Sequence, residues 1–433
     1  MKILLIEPTL YTPSGLRKDA LYKDSMRASC FLALTLPYLA GLTPREIEVK
    51  LAYDVCEDIE NDYDLASFDL IGITSQTIHL KRTLELARHI KKLGRPVVVG
   101  GPATIENGHQ LVPILARFCA AVVIGEAEEL WLQVIHDFEK GSLKKIYQSD
   151  KVLPFSGLPI PRFDLVNFDF IAKPHILPSL TTRGCPRACT FCSEFLYSPW
   201  RVRPVDEVIT ELAAYKAQFG ISRVLFRDDN FLVHPGRSQE LLRKMLPLDL
   251  EWGCQTDLNL ARHPDLVELA VNAGMRFIAL GLESIEEANR EAVHKSFFTT
   301  TEADELLQLL HERGVETQVN IIFGFDADTP DIFDKTVNFL IRGHVSRFVP
   351  DILFPVPGTP VYQQLLEENR LINVRPPGVE EPLYVGYTPK QLTAEGLVSG
   401  CLHAQRRFEQ EKSSPVFWLG EEKHIWTRED GIG

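Results

Sequence analysis

Thr182-Arg183-Gly184-Cys185-Pro186-Arg187-Ala188-Cys189-Thr190-Phe191-Cys192 places three cysteines within eight residues of a 433-residue chain. Three thiolates on one short loop suffice for three irons of a cubane iron–sulfur cluster, which ordinarily takes four protein ligands. The fourth iron then keeps an open position where a ligand can bind and react. The spacing is C-x₃-C-x₂-C, unlike the C-x₂-C-x₂-C run of ferredoxins or the paired C-x₂-C knuckles of zinc ribbons. The competing reading is a set of buried thiols or a zinc site. Cys254 is its one plausible fourth ligand, and His175, the nearest histidine, precedes the loop without zinc-type spacing.

The loop follows Leu177–Thr182, an apolar run that predicts a strand. Further strands are predicted at Arg223–Phe226, Glu251–Gln255, Phe277–Gly281, Glu316–Phe323 and Phe348–Phe354, the last interrupted by Pro350. Helical patterns separate them at Val205–Phe219, Arg237–Met245, Pro264–Ala273, Ile285–Val293, Thr301–Arg313 and Asp331–Ile341, and Pro360–Glu367 follows the last strand. Six strands with following helices predict a partial barrel, short of the eight that close one. Functional groups on such barrels gather at the carboxyl ends of the strands, where the cysteine loop begins.

Upstream, short apolar runs at Lys2–Ile6, Glu48–Tyr53, Asp69–Thr74, Pro96–Gly100 and Ala121–Ile124 alternate with helical patterns. Those patterns lie near Phe31–Leu42, Ile78–Leu93, Gly108–Phe118 and Glu128–Phe138. Unbroken runs such as Val97-Val98-Val99 suit strands covered on both faces, so the class is α/β with a doubly wound parallel sheet. Its carboxyl edge carries Thr74-Ser75-Gln76, Gly100-Gly101-Pro102 and Ile124-Gly125-Glu126. Glycines there either turn the chain or let backbone approach a ligand closely. Lys151–Phe163, with Pro154, Gly157, Pro159 and Pro161, has no periodic pattern and reads as connection. The expected organisation is a Rossmann-like domain over 1–145, a linker over 146–170, the partial barrel over 171–370 and a small helical cap over 371–433, which holds Pro376-Pro377, Trp418 and Trp426.

Composition narrows the function. Hydrophobic residues at 45% and charged residues at 24% are ordinary for a globular chain. A formal charge of -13 argues against nucleic acid as partner, because phosphate recognition needs a basic face. No uncharged apolar run approaches ~18 residues, so no transmembrane segment is expected. Eight cysteines are too few for a disulfide scaffold. A cluster with an open iron is oxygen-sensitive, which makes a reducing cytoplasm the expected compartment. Cys30, Cys56, Cys119 and Cys401 lack metal-ligand spacing.

Polar residues at the predicted strand ends are the remaining site candidates. Asp228, Asp229 and Asn230 follow the second barrel strand, Gln255 and Asp257 close the third, and Glu283 closes the fourth. The cysteine loop resembles that of the radical S-adenosylmethionine (SAM) superfamily, in which SAM occupies the open iron; on that resemblance Asp228, Asp229 and Asn230 could face its methionine end and Glu283 its ribose hydroxyls. Asn320 and the Phe323-Gly324-Phe325 turn could complete the adenosine wall. Helix capping is the bland alternative for each of them. Cys254, within the third strand, could serve radical chemistry or simply pack.

The layout resembles the cobalamin-binding branch of the radical SAM superfamily across residues 1–370. Val97-Val98-Val99-Gly100-Gly101-Pro102, Val123-Ile124-Gly125-Glu126-Ala127-Glu128, Thr182 through Cys192, Gly281-Leu282-Glu283-Ser284 and Pro357-Gly358-Thr359-Pro360 carry the likeness. The cysteine loop is its specific part. That branch includes hopanoid methylases and the anaerobic magnesium-protoporphyrin cyclase. The resemblance implies a 4Fe–4S cluster on Cys185, Cys189 and Cys192, SAM, and cobalamin on an N-terminal domain whose edge includes Gly100, Gly101, Gly125 and Glu126. It also implies an external electron donor such as flavodoxin or ferredoxin and a small-molecule substrate, apolar ones included. The D-x-H-x-x-G motif that ligates cobalt in many cobalamin proteins is absent from the chain. The expected reaction is SAM cleavage, hydrogen abstraction from an unactivated carbon and methyl transfer to it. Oxidative cyclisation or rearrangement with the same cofactors is one alternative. An electron carrier with a fourth cysteine ligand is the alternative from another class.

Overall fold

The computed structural model describes residues 1–9, 11–12, 15–16, 32–106, 108–149, 151–170, 175–372, 383–414 and 418. Cys30, Phe31, Pro376-Pro377 and Trp426 lie outside them.

Six strands form the N-terminal sheet: β1 (Lys2–Glu7), β2 (Glu48–Tyr53), β3 (Leu70–Thr74), β4 (Val97–Gly100), β5 (Ala121–Ile124) and β6 (Ile146–Gln148). Their order is β2-β1-β3-β4-β5-β6 and every pairing is parallel. Period-2 alternation sends Ile3, Leu5 and Val98 into one core, and Leu4, Ile6, Val97 and Val99 into another. Helices α1 (Thr35–Leu42), α2 (Leu80–Lys92), α3 (Gly108–Phe118) and α4 (Ala127–Glu139) cover the two faces. Helices α1 and α4 lie on the first face, α2 and α3 on the second. Each fully buried aliphatic side chain in these cores contributes about 1.5–3 kcal/mol. The sheet therefore has the doubly wound form expected. Strand β6 falls inside the stretch expected as linker. It is a three-residue edge strand with only Tyr147 buried, too short to leave a periodic signal.

The second sheet runs β7 (Ile176–Ser179), β8 (Arg223–Phe226), β9 (Glu251–Asp257), β10 (Met275–Glu283), β11 (Glu316–Phe323) and β12 (Arg347–Ile352), in chain order and all parallel. Helices α5 (Val205–Phe219), α6 (Pro235–Met245), α7 (Pro264–Asn272), α8 (Glu287–Ala292), α9 (Thr300–Glu312), α10 (Ile332–Arg342) and α11 (Pro360–Glu367) accompany it. Local signals explain their starts. In α9 the Thr299 hydroxyl accepts from the Glu302 amide, and the Glu302 carboxylate accepts from the Thr299 amide, a reciprocal cap. Pro350 is tolerated because β12 is an edge strand, paired only with β11. Helix α12 (Ala394–Glu411) packs on α10 and β12 through Leu397, Cys401, Ala404 and Phe408. None of the described helices is long and apolar enough to cross a membrane.

Candidate active site

The cysteine loop is built on a short neck. Strand β7 stops at Ser179, earlier than expected, because Thr182–Arg183 leaves the barrel to pair antiparallel with Arg201–Val202. Asp228, just beyond β8, is buried and clamps this neck. Its carboxylate accepts from the Thr181 amide at 3.0 Å and from the hydroxyls of Thr181 and Thr182 at 2.7 Å. Burial pushes its pKa up and these bonds pull it back. Asp228 thus holds the loop rather than facing a ligand. Gly184 turns the chain at φ +74°, where a Cβ would lie 2.5 Å from the Ser198 carbonyl oxygen. Only glycine fits there.

The loop crosses the carboxyl ends of β8 to β11. Its turn is closed by the Cys192 amide donating to the Cys189 carbonyl at 3.1 Å. It is tied down at Thr190, whose amide donates to Val293 and whose carbonyl accepts from Val361. Cys189 is 7% exposed, and Cys185 and Cys192 are half-buried. Burial pushes all three thiols up, Cys192 to about 11. Among the described residues no three His, Cys, Asp or Glu groups converge on one metal position. A cubane spreads its ligands over separate irons, so thiolates serving it need not converge.

Around the loop stand the side chains of the strand ends. Asn230 approaches the Cys185 sulfur through Nδ2 at 3.8 Å and donates to the Asp257 carboxylate at 2.7 Å. The same Asp257 oxygen accepts from Arg187 Nε at 2.7 Å, within the cysteine loop itself. Glu283 is 8% exposed, has φ +65°, and pairs with Lys295 Nζ at 2.6 Å. The register shift between Gly281 and Glu283 re-aims its carboxylate so that a Cβ on Gly281 would lie 2.5 Å from Oε1. Lys295 lowers the Cys189 pKa against the upward pull of burial, so this cation stands beside the loop. Strand pairing puts Asn320 level with Gly281, and its carbonyl accepts from Gln318 at 2.9 Å. Gln255 is exposed to the barrel interior, and its amide lies 3.5 Å from the Asp229 carbonyl. Asp229 is partly exposed, and burial followed by its neighbour Asp228 raises its pKa to about 6.

Cys254 belongs to the other face of β9. It is buried in the core shared with the helices, with its pKa raised well above 9 by burial. Alternation along the strand turns it away from the interior reached by Gln255. It neither joins the cysteine loop nor faces the barrel interior. Lys295, Arg187 and the clamping role of Asp228 carry no sequence signal, since each depends on which loop folds back over which strand.

The N-terminal edge meets the loop directly. Glu126 is paired with Arg183 Nη1 at 3.0 Å and, through both oxygens, with Arg201. Glu128 accepts from Arg183 Nη2 at 2.8 Å and from the Tyr38 hydroxyl at 3.0 Å. Burial would raise the Glu126 pKa, but the two arginines bring it below the usual carboxylate value. Glu126 therefore joins the two sheets. Beside it a cavity of 790 Å³ extends from Gly100, Gly101 and Gly125 to Gly184 and Asp229. Gly125, at φ +102°, has open space where a Cβ would stand. Gly101, at φ +99°, is needed by the chain, because a Cβ would strike Ser75 backbone at 2.8 Å. A Cβ on Gly100 would make only ordinary contact with Val123. Burial lifts Glu7 to about 8, with Arg227 opposing, and lowers His79 to about 4, so both wall groups are mostly uncharged at neutral pH.

The family model of the radical SAM superfamily matches residues 179–340. Bacteriochlorophyllide d C-12(1)-methyltransferase of Chlorobaculum tepidum is 27% identical over 349 residues, covering 79% of this chain and 75% of that protein. Bacteriochlorophyllide d C-8(2)-methyltransferase of the same organism is 29% identical over 355 residues, covering 78% and 76%. Among solved structures, TsrM of Kitasatospora setae, a radical SAM methyltransferase with cobalamin and a 4Fe–4S cluster bound, gives a TM-score of 0.65. That likeness covers 94% of this chain and 85% of the other at 17% identity, and speaks to the fold. Family match, open barrel and cysteine loop coincide on one stretch of sequence: residues 179–340 form a radical SAM domain, the kind that works with a 4Fe–4S cluster and SAM.

Proposed function

We propose that this enzyme methylates an unactivated carbon of a small molecule, with cobalamin as its second cofactor. The observation that carries this reading is the continuity of one 790 Å³ cavity from the carboxyl edge of the N-terminal sheet to the cysteine loop. Its wall suits a large, amide-rich, uncharged ligand. Gly125 leaves an open cradle, Thr9, Thr74 and Gln76 offer hydrogen bonds, and burial suppresses the charges of Glu7 and His79. When bound, the cluster supplies the electron that cleaves the sulfonium of SAM, and cobalamin carries the methyl group.

The chain's own residues orient these partners. Cys185, Cys189 and Cys192 hold three irons, and Gly184 with Asp228 keeps the loop they ride on in place. Glu283 with Lys295, together with Asn230 and Asp257, offers charge and hydrogen bonds to the polar ends of SAM beside Cys189 and Cys185. Asn320 and Gln255 line the interior below, where a substrate carbon would sit. Gly100 and Gly101 contribute backbone to the cavity, and Glu126 keeps the two halves in register. The expected setting is a reducing cytoplasm with flavodoxin or ferredoxin as electron donor.

The test is anaerobic reconstitution with iron, sulfide and cobalamin, then turnover with SAM and dithionite. Bacteriochlorophyllide d, the compound in the relatives' names, is the first substrate to offer. The expected result is a product heavier by one CH2 unit, a methyl group in place of the abstracted hydrogen, with both deoxyadenosine and S-adenosylhomocysteine formed. Deoxyadenosine with an oxidised or rearranged product of unchanged carbon count would replace methyl transfer by cyclisation or rearrangement. A cluster indifferent to SAM and lost on Cys254→Ala would leave an electron carrier.

A further inference from the structure

We propose that Trp418 forms the floor of the substrate chamber and is the specificity-determining residue that limits how deep a substrate sits. The inference rests on the reading above that substrate occupies the barrel interior.

Alternation along the strands defines that interior. Val224, Cys254, Ile278 and Val319 face the helices and share their core. Ile176, Leu225, Phe277 and Ala279 face the other way and form a separate apolar cluster, which Trp418 completes. Trp418 is 3% exposed and stacks on Phe277 with ring centroids 5.9 Å apart and planes within 4°. Its amide donates to Glu316 Oε2 at 2.8 Å, and the other Glu316 oxygen pairs with Arg347 Nε at 2.7 Å.

The height of this plug follows from register. Leu225, Gly253, Phe277 and Glu316 pair side by side in one layer. Glu316 opens β11, and Gly253 and Phe277 are the third residues of β9 and β10, so on these three strands the layer lies on the amino side, away from the ends that the cysteine loop crosses. Gly253 is the complement of the indole. A Cβ there would lie 2.9 Å from Trp418 Cζ3 and 2.9 Å from Phe277, so the layer holds either a side chain at 253 or the tryptophan.

Above the floor the walls change character. Two residues further along, Gln255 pairs with Ala279, which pairs in turn with Gln318, and Asn320 follows two residues beyond. The interior is open at that height, because Gln255 is exposed inside a sheet whose outer face is buried. The chamber also opens sideways past edge strand β12, where Val349 is 43% exposed. An aromatic floor, amide walls and one open side fit a substrate with a flat apolar end and hydrogen-bonding groups around it, too large to be enclosed.

The test uses anilinonaphthalene sulfonate as an apolar probe on the reconstituted holoenzyme, with iron content and circular dichroism as folding controls. Trp418→Ala deepens an apolar pocket and should tighten probe binding about tenfold, whereas Trp418→Phe keeps an aromatic floor and should stay near wild type. Gly253→Ala should expel the indole and match Trp418→Ala, and acrylamide should then quench Trp418 fluorescence more strongly. Equal binding in wild type and Trp418→Ala, with folding intact, overturns the floor. Gln255→Trp separates the two ideas: if it leaves wild-type probe binding unaltered, the chamber is misplaced, whereas a floor failure leaves its blocking effect in place.

Discussion

Glu283 combines three conditions that rarely coincide: a left-handed backbone, burial, and a charge paired with another buried charge. Burial alone would lower the Lys295 pKa, and Glu283 overrides it, so the net shift is upward. A lysine pKa raised on folding adds stability below the unfolded value of about 10.4 and loses it as pH climbs through the folded value. The pair's contribution is therefore complete at neutral pH. Glu283→Gln strands the ammonium and should lower urea stability of the metal-free protein by about 3–5 kcal/mol, while adding Lys295→Met should restore much of it. Asp328 shares the pH trend but for the opposite reason, since folding there favours the uncharged form. Burial raises its pKa to about 6, although it accepts from the Gly324 amide at 2.7 Å and from Asn289. Between the unfolded value of about 4 and 6 the folded state holds a proton that the unfolded state has released, so stability falls as pH rises through that window. Urea titrations at pH 4 and 6 should differ by about 1–3 kcal/mol more in wild type than in Asp328→Asn.

At the scale of one element, the cysteine loop has little regular structure of its own and borrows its shape. The two-residue ladder at Thr182–Arg183, the Asp228 clamp and the positive φ of Gly184 define where its first cysteine leaves the barrel. Gly184→Ala should shift that exit, because the Ser198 carbonyl it strikes is backbone and cannot rotate aside. Reconstituted iron per chain should fall well below wild type while far-ultraviolet circular dichroism is retained. Full iron loading in that variant would show that the loop tolerates another path. Much of this element was legible beforehand, since spacing alone singled out the cysteines. The clamp was not. An aspartate at a strand end reads equally as a ligand group, and only the position of the neck assigns it to Thr181 and Thr182.

For the whole molecule the decisive feature is the junction between the sheets. Arg183 lies two residues before Cys185, bridges Glu126 and Glu128, and its guanidinium sits 4.6 Å above the Phe155 ring. Arg201, from the other strand of the neck, meets the same Glu126. One ionic network therefore links the exit of the cysteine loop to the edge of the N-terminal sheet and borders the shared cavity. On the proposed reading of the cavity as a cobalamin site, Arg183→Gln should leave iron content near wild type and weaken cobalamin retention about tenfold in equilibrium dialysis, since the cavity depends on both halves holding their spacing. Retention equal to wild type would assign the arginine to local loop stability alone.

Both parallel sheets, the partial barrel and the cysteine loop at its first strand were readable from the amino-acid sequence, because hydrophobic period and ligand spacing are local properties, whereas the short strand β6 left no such signal. The sequence also brought forward Glu283, Asn230 and Gln255, which do stand at or inside the barrel mouth. It took the folded chain to turn Cys254 toward the helices, to set Asp228 and Glu126 as framework groups, to bring Lys295 beside Cys189 and to seat Trp418 in the barrel. Those outcomes depend on contacts between residues far apart in the chain, and strand ends, loops and tails carry no periodicity from which such contacts can be read.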